Sequence, residues 1–238
     1  MIRAFLLDWM MIRSRAGLMA GMMTLICLWL TFQMRAFPGT YAAAIFMAYP
    51  MIAVSLGSYD EARGWSAVRL TLPVSRRDVV AGRYLLMGAL ALEGVAVAGA
   101  VTAAVLAADA VWRAAARDSF LPPELTAVGM PQATAVAACL TLLVTSVMTG
   151  IVTPLNFRFG ATKVTMILPY VLLLGVLGGF ALLGDAGAGI LAALPGLFDW
   201  LATASGALTA CGVLLVATAA VMAVSAACSM AVYDRRQM

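Results

Sequence analysis

The feature that most constrains this chain is a series of long stretches without charge. Residues 16–34, 41–58, 84–108, 132–152, 164–183 and 204–230 are each predominantly apolar, and Glu93 is the one ionisable acid or base that interrupts them. About 20 apolar residues suffice for a helix to cross the hydrocarbon core of a bilayer. Lipid offers no water to satisfy backbone groups, so a spanning segment must be a helix or part of a closed barrel. Period-two alternation over short segments, the mark of a membrane barrel, is absent. The sequence therefore reads as an all-α polytopic membrane protein, a single transmembrane domain over residues 1–238 with six transmembrane helices. Composition agrees: 64% of residues are apolar and 11% charged, against roughly 45–50% and 25% in an ordinary soluble domain. Too little polar side chain exists to coat a soluble fold of this size. That excludes a water-soluble enzyme, a nucleic-acid-binding module and a disordered tail.

The net charge is +4 and the isoelectric point is near 9.1. With the N-terminus placed inside, twelve of the 15 Lys and Arg residues fall on the cytoplasmic side. Arg35, Arg113 and Arg117 are left outside. This positive-inside bias accounts for the basic balance without a nucleic-acid partner, and it makes both termini cytoplasmic. The location implied is the cell membrane, crossed several times. The first stretch is longer than the apolar part of a usual signal peptide, and no small-x-small site follows it directly. Cys27, Cys139, Cys211 and Cys228 lie in apolar runs without metal-site or disulfide spacing, and the chain has no histidine. Imidazole catalysis and a His-ligated metal are therefore ruled out.

Outside the spans, residues 1–15 place Ile2, Phe5, Leu6, Trp9 and Met10 at i, i+3, i+4, i+7 and i+8, one face of a helix. This predicts an interfacial helix on the inner leaflet. Phe37-Pro38-Gly39-Thr40 reads as a turn. Residues 109–131, with prolines at 122, 123 and 131, form an outer loop ordered only in pieces. Residues 184–203 carry an apolar part too short to cross, which predicts a re-entrant or interfacial helix.

The inner loop between the second and third spans carries the most information. Asp60 and Glu61 open a short helix at its positive end. Trp65, Val68, Leu72 and, less squarely, Arg69 share a face, and Pro73 disfavours helix at Leu72. Ser75 then has the form of an N-cap, with Asp78 three residues on, for the helix that enters the third span. The result is a short amphipathic helix over 60–74. By its residues alone it could dock a partner or rest on lipid headgroups.

The segment YDEARGWSAVRLTLPVSRRDVVAGRYL resembles the first cytoplasmic loop of the type-2 ABC exporter permeases, a class of short six-helix transmembrane subunits. That loop carries an acidic pair, a tryptophan, Leu-Pro-x-Ser-Arg and a basic-Tyr-Leu exit. TPLNFRFGATKVTMILPY, residues 153–170, is similar to a second family segment, with Phe157, Phe159, Gly160 and Lys163 matching and Arg158 in place of the usual lysine. SAACSMAVYDRRQM at the C-terminus is a weaker match. The resemblance implies a permease that forms a homodimer, or a heterodimer with a close relative, and docks a separate ATP-binding subunit. It makes 60–74 the coupling helix, with Asp60, Glu61, Trp65, Val68, Arg69, Leu72 and Pro73 facing the ATPase. Phe157, Arg158, Phe159 and Lys163 form a second contact. The first and fifth spans tend to line the subunit interface. The range of substrates implied is amphipathic or hydrophobic, peptides foremost, moved out of the cell. No Gly-x-x-x-x-Gly-Lys-[Ser/Thr] occurs. ATP and Mg would thus sit on the partner subunit, with no cofactor on this chain and no catalysis by it.

Within the spans, Glu93 stands near the bilayer midplane, where a carboxylate is costly. It reads equally as a substrate or proton site and as a protonated structural carboxyl. Thr141, Thr145 and Thr149 form a stripe at i, i+4, i+8 on the fourth span, a candidate substrate path. Hydroxyls at this spacing also glue helices or bond the preceding turn. Two other functions compete with the exporter. A secondary transporter or channel would use Glu93, although the chain lacks the internal repeat many such proteins carry. An intramembrane enzyme would need a Ser–Lys pair or paired aspartates in the spans, and neither occurs.

Overall fold

The computed structural model describes residues 2–48, 75–115, 118–160 and 195–234, with five isolated positions between 162 and 175. Among them the chain is all helix, without strands. α1 is Ile2–Met34, α2 Phe37–Ala48, α3 Arg76–Ala114, α4 Met130–Phe159, α5 Pro195–Ala202 and α6 Ala204–Asp234. A 3₁₀ turn covers Pro123–Thr126. Four of these helices are long and apolar enough to cross a membrane, with candidate spans at Ala16–Gln33, Arg77–Ala114, Met130–Phe159 and Ala204–Tyr233. α2 is the described part of the predicted second span. The predicted fifth span, 164–183, lies outside the described residues apart from isolated positions.

α1 and α3 lie side by side and run the same way. Asp8 meets Arg83, Ile12 packs on Leu86 and Leu90, and Cys27 shares a cluster with Ala98 and Val101. α2 runs back between them, with Gly99 against Tyr41 and Gly94 against Ala44 and Ile45. At Gly94 the approach is backbone to backbone: a Cβ there would stand 2.9 Å from Ile45 Cα. α4 and α6 are also parallel to one another, since Ser225 reaches Gly150 and Tyr233 reaches Phe157. One end of the molecule therefore gathers the starts of α1 and α3 and the finishes of α4 and α6.

The opposite end is closed by the loop after α3. Asp109 Oδ1 accepts from Ser119 Oγ at 2.7 Å and from the Phe120 amide, while its other oxygen pairs with Arg113 at 2.7 Å. Leu121 and Leu125 are thereby held in the apolar cluster with Phe37, Val101 and Val105. Pro123, in the first turn of the 3₁₀ helix, lacks an N–H that would have no partner there.

Two local readings change. The turn placed at Phe37–Thr40 falls instead at Arg35–Ala36: Arg35 adopts φ 48° and α2 starts at Phe37. Pro38 sits in that helix's first turn, where a missing N–H is harmless. The amphipathic segment 1–15 is continuous with the first span in one 33-residue rod, about 50 Å long at 1.5 Å per residue. Its stripe divides. Phe5 and Trp9 pack beside Ile12, Leu86 and Leu90, whereas Leu6 and Met10 remain exposed. The partner for half of that face is α3, which sequence periodicity could not name. In the 184–203 region a short helix does form, Pro195–Ala202. Thr203 then turns the chain into α6, accepting the Gly206 amide at 3.1 Å.

Candidate functional site

Among the described residues, polar and close backbone contacts join four helices at a level beginning two turns inside α3. Ser75 caps this helix as the sequence predicts: its Oγ accepts the Asp78 amide at 3.1 Å and donates to Asp78 Oδ2 at 2.8 Å. Three consecutive residues, Gly82, Arg83 and Tyr84, then hold three different neighbours. Gly82 lies against the backbone of α1, where a Cβ would meet Ala4 Cβ at 2.8 Å and Phe5 N at 2.9 Å. Arg83 Nε donates to Asp8 Oδ2 at 3.2 Å. Both side chains are buried, 5% and 3% exposed. The Arg83 guanidinium also lies 6.0 Å from the centre of the Phe157 ring on α4, within cation–π range. Tyr84 bonds Ser225 and Ser229 on α6.

The hydroxyls form a directed chain. Pro154 lies inside α4 and has no N–H, so the carbonyl of Gly150, four residues back, loses its helical partner. Ser225 Oγ takes its place, donating to Gly150 O at 2.8 Å. That uses the one Ser225 proton, so Tyr84 must donate to Ser225, and Ser229 must donate to Tyr84 at 2.9 Å. The order is Ser229, Tyr84, Ser225, Gly150 carbonyl, crossing from α6 to α3, back to α6 and on to α4. Beside it, Phe157 and Tyr233 meet with ring centres 5.2 Å apart, in a cluster with Val79 and Val80.

Of the residues singled out in the sequence, Asp60, Glu61, Trp65, Val68, Arg69, Leu72, Pro73 and Lys163 lie outside the described residues. Phe157, Arg158 and Phe159 divide in role. Phe157 is buried in the junction. Arg158 and Phe159 are exposed, with the guanidinium 5.1 Å from the Phe159 ring centre. Glu93 lies midway along α3, and its Oε2 is buried without a hydrogen-bond partner. The threonine stripe is bonded within its own helix. Thr141, Thr145 and Thr149 donate to the carbonyls of Ala137, Thr141 and Thr145 at 2.7–2.8 Å. No hydrogen bond joins the stripe to Glu93. Among the described residues no group of three or more His, Cys, Asp or Glu could hold a metal ion.

Asp8 carries no motif in the sequence, and Arg83, Tyr84, Ser225 and Ser229 enter it only inside the family-like segments, without an individual role. The available signal was Pro154: a proline deep in an apolar helix leaves a carbonyl that some hydroxyl must satisfy.

Residues 5–116 match the family model described as ABC-2 family transporter protein. The resemblance read from the loop after the second span thus holds over residues 5–116, which take in most of α1 and all of α2 and α3. No curated protein and no solved structure matches the chain. The apolar helices mark an integral membrane protein, and its residues 5–116 are similar to the ABC-2 family transporters.

Proposed function

We propose that this chain is the permease of an ATP-driven exporter, spanning the cell membrane six times with both termini in the cytoplasm. Each copy pairs with a second permease, as a homodimer, and docks a separate ATP-binding subunit through the 60–74 segment. Exposed Arg158 and Phe159, with Lys163, make the second contact, and buried Phe157 supports them from behind. The cargo is amphipathic or hydrophobic, peptides being the leading class. The observation that carries this reading is the family match over residues 5–116, a stretch that contains the whole 60–74 loop. The shared end of α1, α3, α4 and α6 supports placing both termini on one side. The basic residues Arg77, Arg83 and Arg158 gather at that end, which supports calling it cytoplasmic.

Purification from the native membrane in mild detergent tests the reading. A stoichiometric ATPase should accompany the chain, and Trp65→Ala or Leu72→Asp should abolish the permease's effect on ATP hydrolysis while leaving the helices folded. Absence of any ATPase from the purified wild type would refute it. A second reading, a secondary transporter or channel, draws on the partnerless buried Oε2 of Glu93. It requires ion-gradient-driven flux without ATP, lost in Glu93→Gln.

A further inference from the structure

Buried ion pairs are poor sources of stability. Desolvation cancels most of their attraction, and an apolar pair of similar volume packs as well or better. Their best-attested use is to fix a register or a switch. Asp8–Arg83 is such a pair, and its setting indicates which register it fixes. It joins the amphipathic start of α1 to α3 two turns beyond the Ser75 cap. The preceding residue, Gly82, brings the two helix backbones into contact at the same level. The following residue, Tyr84, ties α3 to α6, and Arg83 itself also lies over Phe157 of α4.

We propose that the Gly82–Arg83–Tyr84 turn is the joint through which displacement of the N-terminal end of α3 moves α1, α4 and α6 together, with Arg83 as its positioning residue. The inference rests on the exporter reading, in which the ATPase pushes on the segment just before Ser75. The physical argument is stiffness. Ser75 and Arg83 lie on one continuous helix about 12 Å apart, so a push at the cap reaches Arg83 almost undiminished. An apolar contact would hold α1 through the shape of its packing alone. A planar guanidinium bonded to a carboxylate adds a preferred register. Its cation–π contact with Phe157 gives α4 the same motion.

The test uses the permease–ATPase complex in nanodiscs. Spin labels at exposed Leu25 on α1 and exposed Val213 on α6 report the far half of the bundle. Their separation is compared between the nucleotide-free state and the state trapped with ATP and vanadate. The wild type is expected to shift on trapping. Asp8→Asn and Arg83→Lys are expected to hydrolyse ATP within about twofold of wild type while the shift falls at least twofold. The exchange Asp8→Arg with Arg83→Asp should recover it. Should a single variant fail to fold, Phe157→Leu, which keeps the ion pair and loses the cation–π contact, should still reduce the shift. A wild-type-sized shift in folded Asp8→Asn, Arg83→Lys or Phe157→Leu would overturn the joint and leave the exporter reading standing. A wild type with no bound ATPase would overturn the exporter reading and the joint with it.

Discussion

Ser225→Ala, made with and without Pro154→Ala, tests the reasoning behind the hydroxyl chain. In the wild type the Gly150 carbonyl has lost its helical donor to Pro154, and Ser225 Oγ replaces it at 2.8 Å. Removing that hydroxyl orphans a partly buried carbonyl, at about 1–3 kcal/mol in protein interiors. Interhelical hydrogen bonds measured in bilayers average about 0.6 and reach about 1.7 kcal/mol. A loss of about 1–2 kcal/mol is expected. With Pro154→Ala already present, the amide of residue 154 can bond Gly150 within α4. Ser225→Ala then removes only the acceptor of Tyr84, which keeps Ser229, and the cost should fall to about 0.6 kcal/mol. The cycle thus predicts a coupling of about 1 kcal/mol between positions 154 and 225. Unfolding free energies of the four proteins, titrated from mild detergent into dodecyl sulfate, would measure it. Independent sites add to within about 0.3–0.5 kcal/mol, so a coupling inside that band would refute the account of the freed carbonyl.

Gly82→Ala and Gly88→Ala gain the same helix propensity, about 1 kcal/mol, but only the first meets neighbouring atoms within 4 Å. Gly82→Ala should be the less stable of the two by about 1–3 kcal/mol in the same titration, and equal stability would count against the close packing of α1 on α3. Thr149→Val should cost under about 1 kcal/mol and leave ATPase stimulation unchanged, because the hydroxyl only supplements its own helix; a large loss of stimulation would place that hydroxyl on a working surface instead. Cys139 on α4 and Cys211 on α6 are close neighbours. Copper–phenanthroline should link them into a disulfide seen by peptide mass spectrometry and absent in Cys211→Ser; no linkage would disprove the parallel register of these helices. Glu93→Gln should preserve ATPase stimulation if the energy comes from ATP; an ion-gradient-driven flux without ATP that this variant abolishes would favour a carrier instead.

Much of the fold was legible because lipid removes most alternatives. Once water is absent, charge-free length dictates helices, and the boundaries follow where charges return. Ser75 as the cap of α3 was legible for a local reason: its partner, Asp78, is three residues away. The candidate site was much less so. Asp8 and Arg83 are separated by 75 positions, and Tyr84 and Ser229 by 145. No periodicity relates such pairs. The threonine stripe was open to two readings, a shared path or hydroxyls bonded along their own helix, and i to i−4 spacing allows the second, which is where the protons go.

Sequence alone determined that this chain lives in lipid, that it is built of helices, and where most of those helices run. Apolarity and charge are properties of single residues, and a bilayer reads them one segment at a time. It also supplied the resemblance to a transporter family, through a contiguous loop. Only the tertiary structure decided which helices are neighbours, that the starts of the first and third are locked together by Asp8 and Arg83, and that a proline in α4 is answered by a serine in α6. The reason is that helix pairing in lipid has little hydrophobic drive. Close glycine contacts and a few buried polar groups choose the partners, and those choices exist only once distant residues meet.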